Sequence, residues 1–118
     1  MTDLVACLSA GDKSKAHVAR LINEQEWGSI FLITDDGNRQ NFKVEKEVKF
    51  INVDFNKPVF ELIEDIRKEL YGRLKHMDIA LNIVSGSGKE HMAILSAILK
   101  LGVGIRLIAV TKDGIREL

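Results

Sequence analysis

The chain has 118 residues, 46% of them hydrophobic and 29% charged, with 17 basic residues against 17 acidic. A single domain of this size buries roughly two-thirds of the surface that its unfolded chain exposes, so folding requires neither a disulfide nor a structural metal. No apolar run approaches the ~20 residues of a membrane helix, and balanced charge argues against the broad basic face that duplex nucleic acid requires.

Met1-Thr2-Asp3 leads directly into an apolar run with no basic n-region or cleavage site, so no signal peptide is expected. Leu4-Val5-Ala6-Cys7-Leu8 has the pattern of a strand buried on both faces, ending in the turn Ser9-Ala10-Gly11. The single Cys7 has no partner for an internal disulfide and points to a reducing, cytoplasmic setting. From Ala16, the spacing of Val18, Leu21 and Ile22 predicts a helix to about Glu26, closed by Trp27-Gly28. Ile30 to Ile33 forms a second strand, stopped by Asp35-Asp36-Gly37-Asn38. Across 38–49, Phe42, Val44, Val48 and Phe50 alternate like a strand, whereas the charges from Lys43 to Lys49 suit a short exposed helix. Val48 to Val53 is a third strand. Asn56 is placed to cap the next helix, with Pro58 in its first turn. Val59, Leu62, Ile63, Ile66 and Leu70 mark the buried face of that helix, and Gly72 weakens its end. Ile79 to Val84 is a fourth strand, followed by Ser85-Gly86-Ser87-Gly88-Lys89, a third helix from Glu90 to Leu101, and Gly102 as its stop. Ile105 to Val110 is a fifth strand, and Asp113-Gly114 turns the chain into a short antiparallel end strand.

Strands alternating with helices predict one α/β domain, a three-layer sandwich around a mostly parallel sheet. Right-handed crossovers favour the order 3-2-1-4-5, with a short antiparallel strand at the C-terminal edge. The winding then reverses between the first and fourth strands, and open α/β sheets bind ligands at that reversal, outside the carboxyl ends of the strands. Two polar, lysine-bearing loops meet there: Ser9, Ala10, Gly11, Asp12, Lys13, Ser14 and Lys15, and Ser85 to Lys89.

Gly86 and Gly88 permit close backbone approach, the following helix offers N–H groups, and Lys89 supplies charge for an anion. The alternative is a tight strand-to-helix turn with Lys89 solvated. A phosphate loop of the G-x-x-x-x-G-K-[ST] kind is rejected, because Ile83 stands at the first glycine and Glu90 at the hydroxyl residue. A dinucleotide G-x-G-x-x-G would need glycine where His91 stands. Asp35 and Asp36 end the second strand, where an acid either holds ribose hydroxyls or caps a turn. His17 and His91 sit near helix starts beside the crevice, and His76 sits in a turn; none has a visible activating partner. One Cys and three scattered His residues offer no zinc framework, so no metal or cofactor is expected. The third helix is apolar around most of its circumference, which points to a homodimer through Met92, Leu95, Ile98 and Leu99 unless the second helix covers it.

The order of elements and the turn Ile83-Val84-Ser85-Gly86-Ser87-Gly88-Lys89, with Met92 following, resemble the CRISPR-associated Rossmann-fold (CARF) domain family. Ser87 stands where the family has its second glycine, and Gly88 where it has a hydroxyl residue. The resemblance implies a Rossmann-like nucleotide-binding domain that senses cyclic oligoadenylates in CRISPR-linked antiviral defence. It implies a homodimer whose two crevices join around one ring, with Ser9, Gly11 and Ser85 to Lys89 around the phosphates. In members that cleave the ring, a ribose 2′-hydroxyl attacks the adjacent phosphate without metal. Lys89 would then stabilise charge and Ser9 or Ser85 would orient the phosphate. No length remains for a following effector domain, which makes a stand-alone member the expectation. Two readings compete: a nucleotide- or phosphoester-handling enzyme of another Rossmann-like family, and a structural oligomerisation domain.

Overall fold

The computed structural model describes residues 1–9 and 11–118. In chain order its elements are β1 (Leu4–Cys7), α1 (Asp12–Glu24), β2 (Ile30–Thr34), α2 (Asp36–Arg39), β3 (Lys49–Asn52), α3 (Val59–Leu70), β4 (Asp78–Asn82), α4 (Gly88–Lys100), β5 (Gly104–Thr111) and β6 (Gly114–Glu117). They build one six-stranded sheet in the order β3-β2-β1-β4-β5-β6. All pairs are parallel except the β5–β6 hairpin at the edge, where Val110 faces Ile115. This is the expected α/β sandwich, with winding reversed between β1 and β4.

The central strands are apolar on both faces because both faces are covered. On one face Leu4, Ala6, Leu8, Leu32 and Ile108 pack under α1 through Val18, Leu21 and Ile22. On the other, Val5, Cys7, Phe31, Ile33 and Leu81 pack under α3 and α4. The segment between α2 and β3 forms neither the strand nor the short exposed helix that its pattern allowed. Its Phe42, Val44 and Val48 lie half-buried against the α1 side of the core. Apolar alternation there reflects one-sided burial of irregular chain.

Local chemistry moves several boundaries. Helix α1 starts at Asp12, four residues before the predicted Ala16, because Gly11 turns the chain at φ 97°. Lys13, Ser14 and Lys15 therefore belong to its first turn rather than to a loop. Asp35, at the end of β2, caps the short α2 by accepting the Asn38 backbone N–H at 2.8 Å, the turn-capping alternative for that acid. Asn56 does not cap α3; Pro58 holds the N-cap position and its carbonyl accepts the Leu62 N–H. Gly72 lies just beyond α3 at φ 75°, as Gly102 does beyond α4.

Candidate functional site

Beyond β1 and β4 the two polar loops touch. Leu8 is still held to the sheet, its N–H donating to Ile33 and its carbonyl accepting from Thr34 Oγ1. Ser9 is the first residue past that pairing, and its N–H donates to Ser85 Oγ at 2.9 Å. Ser14 Oγ lies 3.0 Å from Ser85 Oγ and 3.0 Å from the Gly11 carbonyl oxygen. A hydroxyl has one proton and a carbonyl only accepts. The arrangement that satisfies all three contacts runs from Ser9 N–H to Ser85, from Ser85 O–H to Ser14, and from Ser14 O–H to Gly11. Ser85 is fully buried at the centre of this chain.

The second loop is braced from below. The His91 ring donates from Nε2 to the Ser85 carbonyl at 2.9 Å, since that carbonyl has no proton to give. Gly86 turns at φ 108°, and a Cβ there would lie 2.9 Å from Cys7 Sγ and 2.8 Å from Glu90 Oε1. Only glycine fits this turn. Cys7 is buried beneath it; burial, then the charges of Glu90 and Asp35, push its thiol up to about 12.

The start of α4 is closed by its own sequence. Ser87 is the N-cap, accepting the Glu90 N–H at 3.4 Å, while Glu90 Oε1 accepts the Ser87 N–H at 3.1 Å. This capping box occupies two donors that an anion would otherwise take. Ser87-x-x-Glu90 was its visible signal. Lys89 is also differently placed: its Nζ donates to the Phe55 carbonyl at 3.0 Å, across the opening toward the chain after β3. Among the described residues, no hydrogen bond links Lys89 to Ser9 or Ser85.

A cavity of about 660 Å³ lies beside the carboxyl ends of β2 and β3. Asp35, Asp36, Asp54, Asp65 and Glu69 line it, with Lys57 and Lys68. Lys57 is paired to Asp65 at 2.8 Å. Such a lining suits hydroxyl and amino groups and repels phosphates.

Asn82 is a site residue that pattern reading missed. Fully buried at the end of β4, it donates from Nδ2 to the Ile108 carbonyl at 2.9 Å and lies 3.1 Å from His17 Nε2. The Val110 N–H also donates to His17 Nε2, at 3.3 Å. His17 Nε2 is therefore an acceptor, and the ring ties α1 to β4 and β5. A polar residue ending an otherwise apolar strand was the available signal.

The remaining predicted site residues divide. Ser9, Gly11, Ser14, Ser85 and Gly86 come together at the reversal. Ser87, Gly88 and Lys13 are exposed at its rim, and Ala10 lies outside the described residues. In α4, Met92 and Leu99 are exposed and Leu95 is half-buried. Ile98 corrects the expected dimer surface: it is fully buried with Ala93, Ile94 and Ala97 in the core shared with α3. The second predicted helix covers that side of α4 within the chain. Among the described residues, no helix is long and apolar enough to cross a membrane, and no group of three or more His, Cys, Asp or Glu is placed to hold a metal.

The sheet order and the crevice at its reversal define a Rossmann-like α/β protein. No family model matches the chain, and no curated protein matches it.

Proposed function

We propose that this protein is a nucleotide-binding module of the CARF-like kind, taking phosphates between the Ser9–Gly11 turn and the Ser85–Lys89 turn. The observation that carries this reading is the contact of both loops through buried Ser85 at the topological reversal. A ligand phosphate would draw the Lys89 ammonium from the Phe55 carbonyl, a neutral acceptor, to a charged one. The neighbouring 660 Å³ cavity offers carboxylates for ribose hydroxyls and base amino groups. A cyclic oligoadenylate bridging two copies is the specific ligand proposed, with exposed Met92 and Leu99 on the dimer face. Ring cleavage would use Lys89 for charge stabilisation and Ser9 or Ser85 to orient the phosphate for in-line attack by the ribose 2′-hydroxyl.

Calorimetric titration with cyclic tetra- and hexa-adenylate, beside ATP and NAD, tests the reading. Binding at one ring per two chains, lost in Lys89→Ala, supports it, and chromatography of the incubated mixture reports cleavage. Binding of ATP or NAD alone would favour another Rossmann-like nucleotide protein. No nucleotide binding, with retained self-association through Met92 and Leu99, would favour an oligomerisation domain.

A further inference from the structure

A recess of about 330 Å³ opens at the amino-terminal end of the sheet, away from the crevice. It forms where the chain enters four neighbouring strands. Asp3 precedes β1, Ser29 precedes β2, Lys49 begins β3, and Arg73, Lys75 and His76 come from the turn into β4. The helices on this sheet lead the chain back to this end, so basic residues distant in sequence collect there.

The cations are held in place. Lys49 Nζ stands 5.3 Å and Arg73 Cζ 5.4 Å from the centroid of the same ring, that of fully buried Phe31. Each takes an attraction to the ring face that ties its stem to the core. Two like charges over one ring raise each other's energy. Nearby carboxylates offset this only in part. Glu69 lies 3.9 Å from Arg73 Nη1, and its backbone carbonyl accepts from that atom at 3.3 Å. Asp3 is buried and already accepts the Ser29 N–H at 2.7 Å, with its other oxygen 3.9 Å from His76 Nε2. Lys49 Nζ donates to the neutral Ser29 hydroxyl at 3.4 Å, and among the described residues neither Lys49 nor Lys75 forms a salt bridge.

We propose that this recess is a second anion site, distinct from the crevice, which takes a phosphate group carried by a small polyphosphate or by a single-stranded oligonucleotide. Exposed Lys49 and half-buried Arg73, both over the Phe31 ring, form the floor. Lys75 and His76, exposed at the rim, close on the bound group. A multiply charged phosphate fits because a monovalent anion would leave the clustered cations uncompensated.

The test is titration of the intact protein with tripolyphosphate and, separately, with a 5′-phosphorylated single-stranded hexanucleotide. Both are run at low and moderate salt on the wild type, Lys49→Gln, Arg73→Gln, the rim pair Lys75→Gln/His76→Gln, and Lys89→Ala. The expected result is binding that weakens by at least about tenfold in the floor variants, the scale of one lost charged hydrogen bond, and a component that persists in Lys89→Ala once any crevice binding is removed. Arg73→Lys should recover only part of it. The rim pair keeps the test meaningful if a floor variant unfolds. Tripolyphosphate binding alone identifies a free phosphate ligand, and tighter oligonucleotide binding identifies a strand; either result supports the site. Binding of neither probe, or equal binding in every recess variant, overturns it. Loss in Lys89→Ala alone assigns the anion to the crevice and likewise overturns the recess, whereas recess binding without crevice binding leaves this inference standing and removes the proposed function.

Discussion

Ser85 Oγ lies 2.9 Å from the backbone nitrogen of Ser9, although 76 positions separate them in the chain. That one bond fixes the distance between two loops that enter the crevice from different strands. Ser85→Ala leaves a buried N–H without its acceptor, which costs about 1–3 kcal/mol. Urea unfolding should show that loss, and nucleotide affinity should fall along with it.

Gly86 faces three obstacles to any side chain, its φ of 108°, the sulfur of Cys7 and the Glu90 carboxylate. Gly86→Ala is therefore expected to destabilise by about 1–3 kcal/mol or more. Gly86→Ala combined with Cys7→Ala should recover only part of this, because the backbone strain remains. Thermal melts of the four combinations measure the coupling.

His17 gives the fold a defined pH dependence. Burial first, and then the charge of Arg20, hold its pKa below the ordinary histidine value of 6.5. The unfolded chain therefore takes up the proton more readily than the folded one. The stabilisation is complete above pH 6.5 and is lost as pH falls through that value toward the lower folded one. Protonation also sets a new donor against the Val110 and Asn82 donors. Unfolding free energies measured from pH 8 to pH 5 should fall more steeply for the wild type than for His17→Gln.

The two sides of α4 make opposite predictions. Ile98→Ala opens a cavity in a closed core and should cost about 2–5 kcal/mol. Met92→Glu and Leu99→Glu, at positions 65% exposed, should leave stability within about 0.5 kcal/mol. Sedimentation should show the latter pair as monomers if this face joins two copies.

Lys89→Ala removes a single hydrogen bond to the Phe55 carbonyl at an exposed position. Its stability should change by less than about 1 kcal/mol. A much larger loss in a denaturant midpoint would make the lysine a structural strut, and its role in binding would fall.

The sheet was legible because its signals are long-range averages. Runs such as Leu4 to Leu8 and Ile30 to Ile33 can be satisfied only by burial on both faces, and alternating helices then dictate a parallel order. The crevice was legible from the same topology, since its position follows from strand order alone. Side-chain direction was not. Lys89 sits where an anion-binding lysine is expected, yet its four-carbon stem spans the opening to a carbonyl 34 positions away in sequence. Ile98 looked like part of a surplus apolar face because the depth of the α3–α4 contact cannot be read from one helix. The role of Glu90 was hidden for another reason: it stands at the hydroxyl position of a phosphate motif, whereas its partner is Ser87, three residues earlier.

Cys7 sits directly beneath Gly86, with its thiol pushed up to about 12 and no surface exposed to solvent. Thiolate is the form that reacts with alkylating reagents. Labelling must therefore wait until the turn above lifts and water enters, so its rate counts openings of the crevice floor. The chain carries a built-in clock for that motion: a ligand resting on the Ser85–Lys89 turn would slow it, and one bound elsewhere would let it run unchanged.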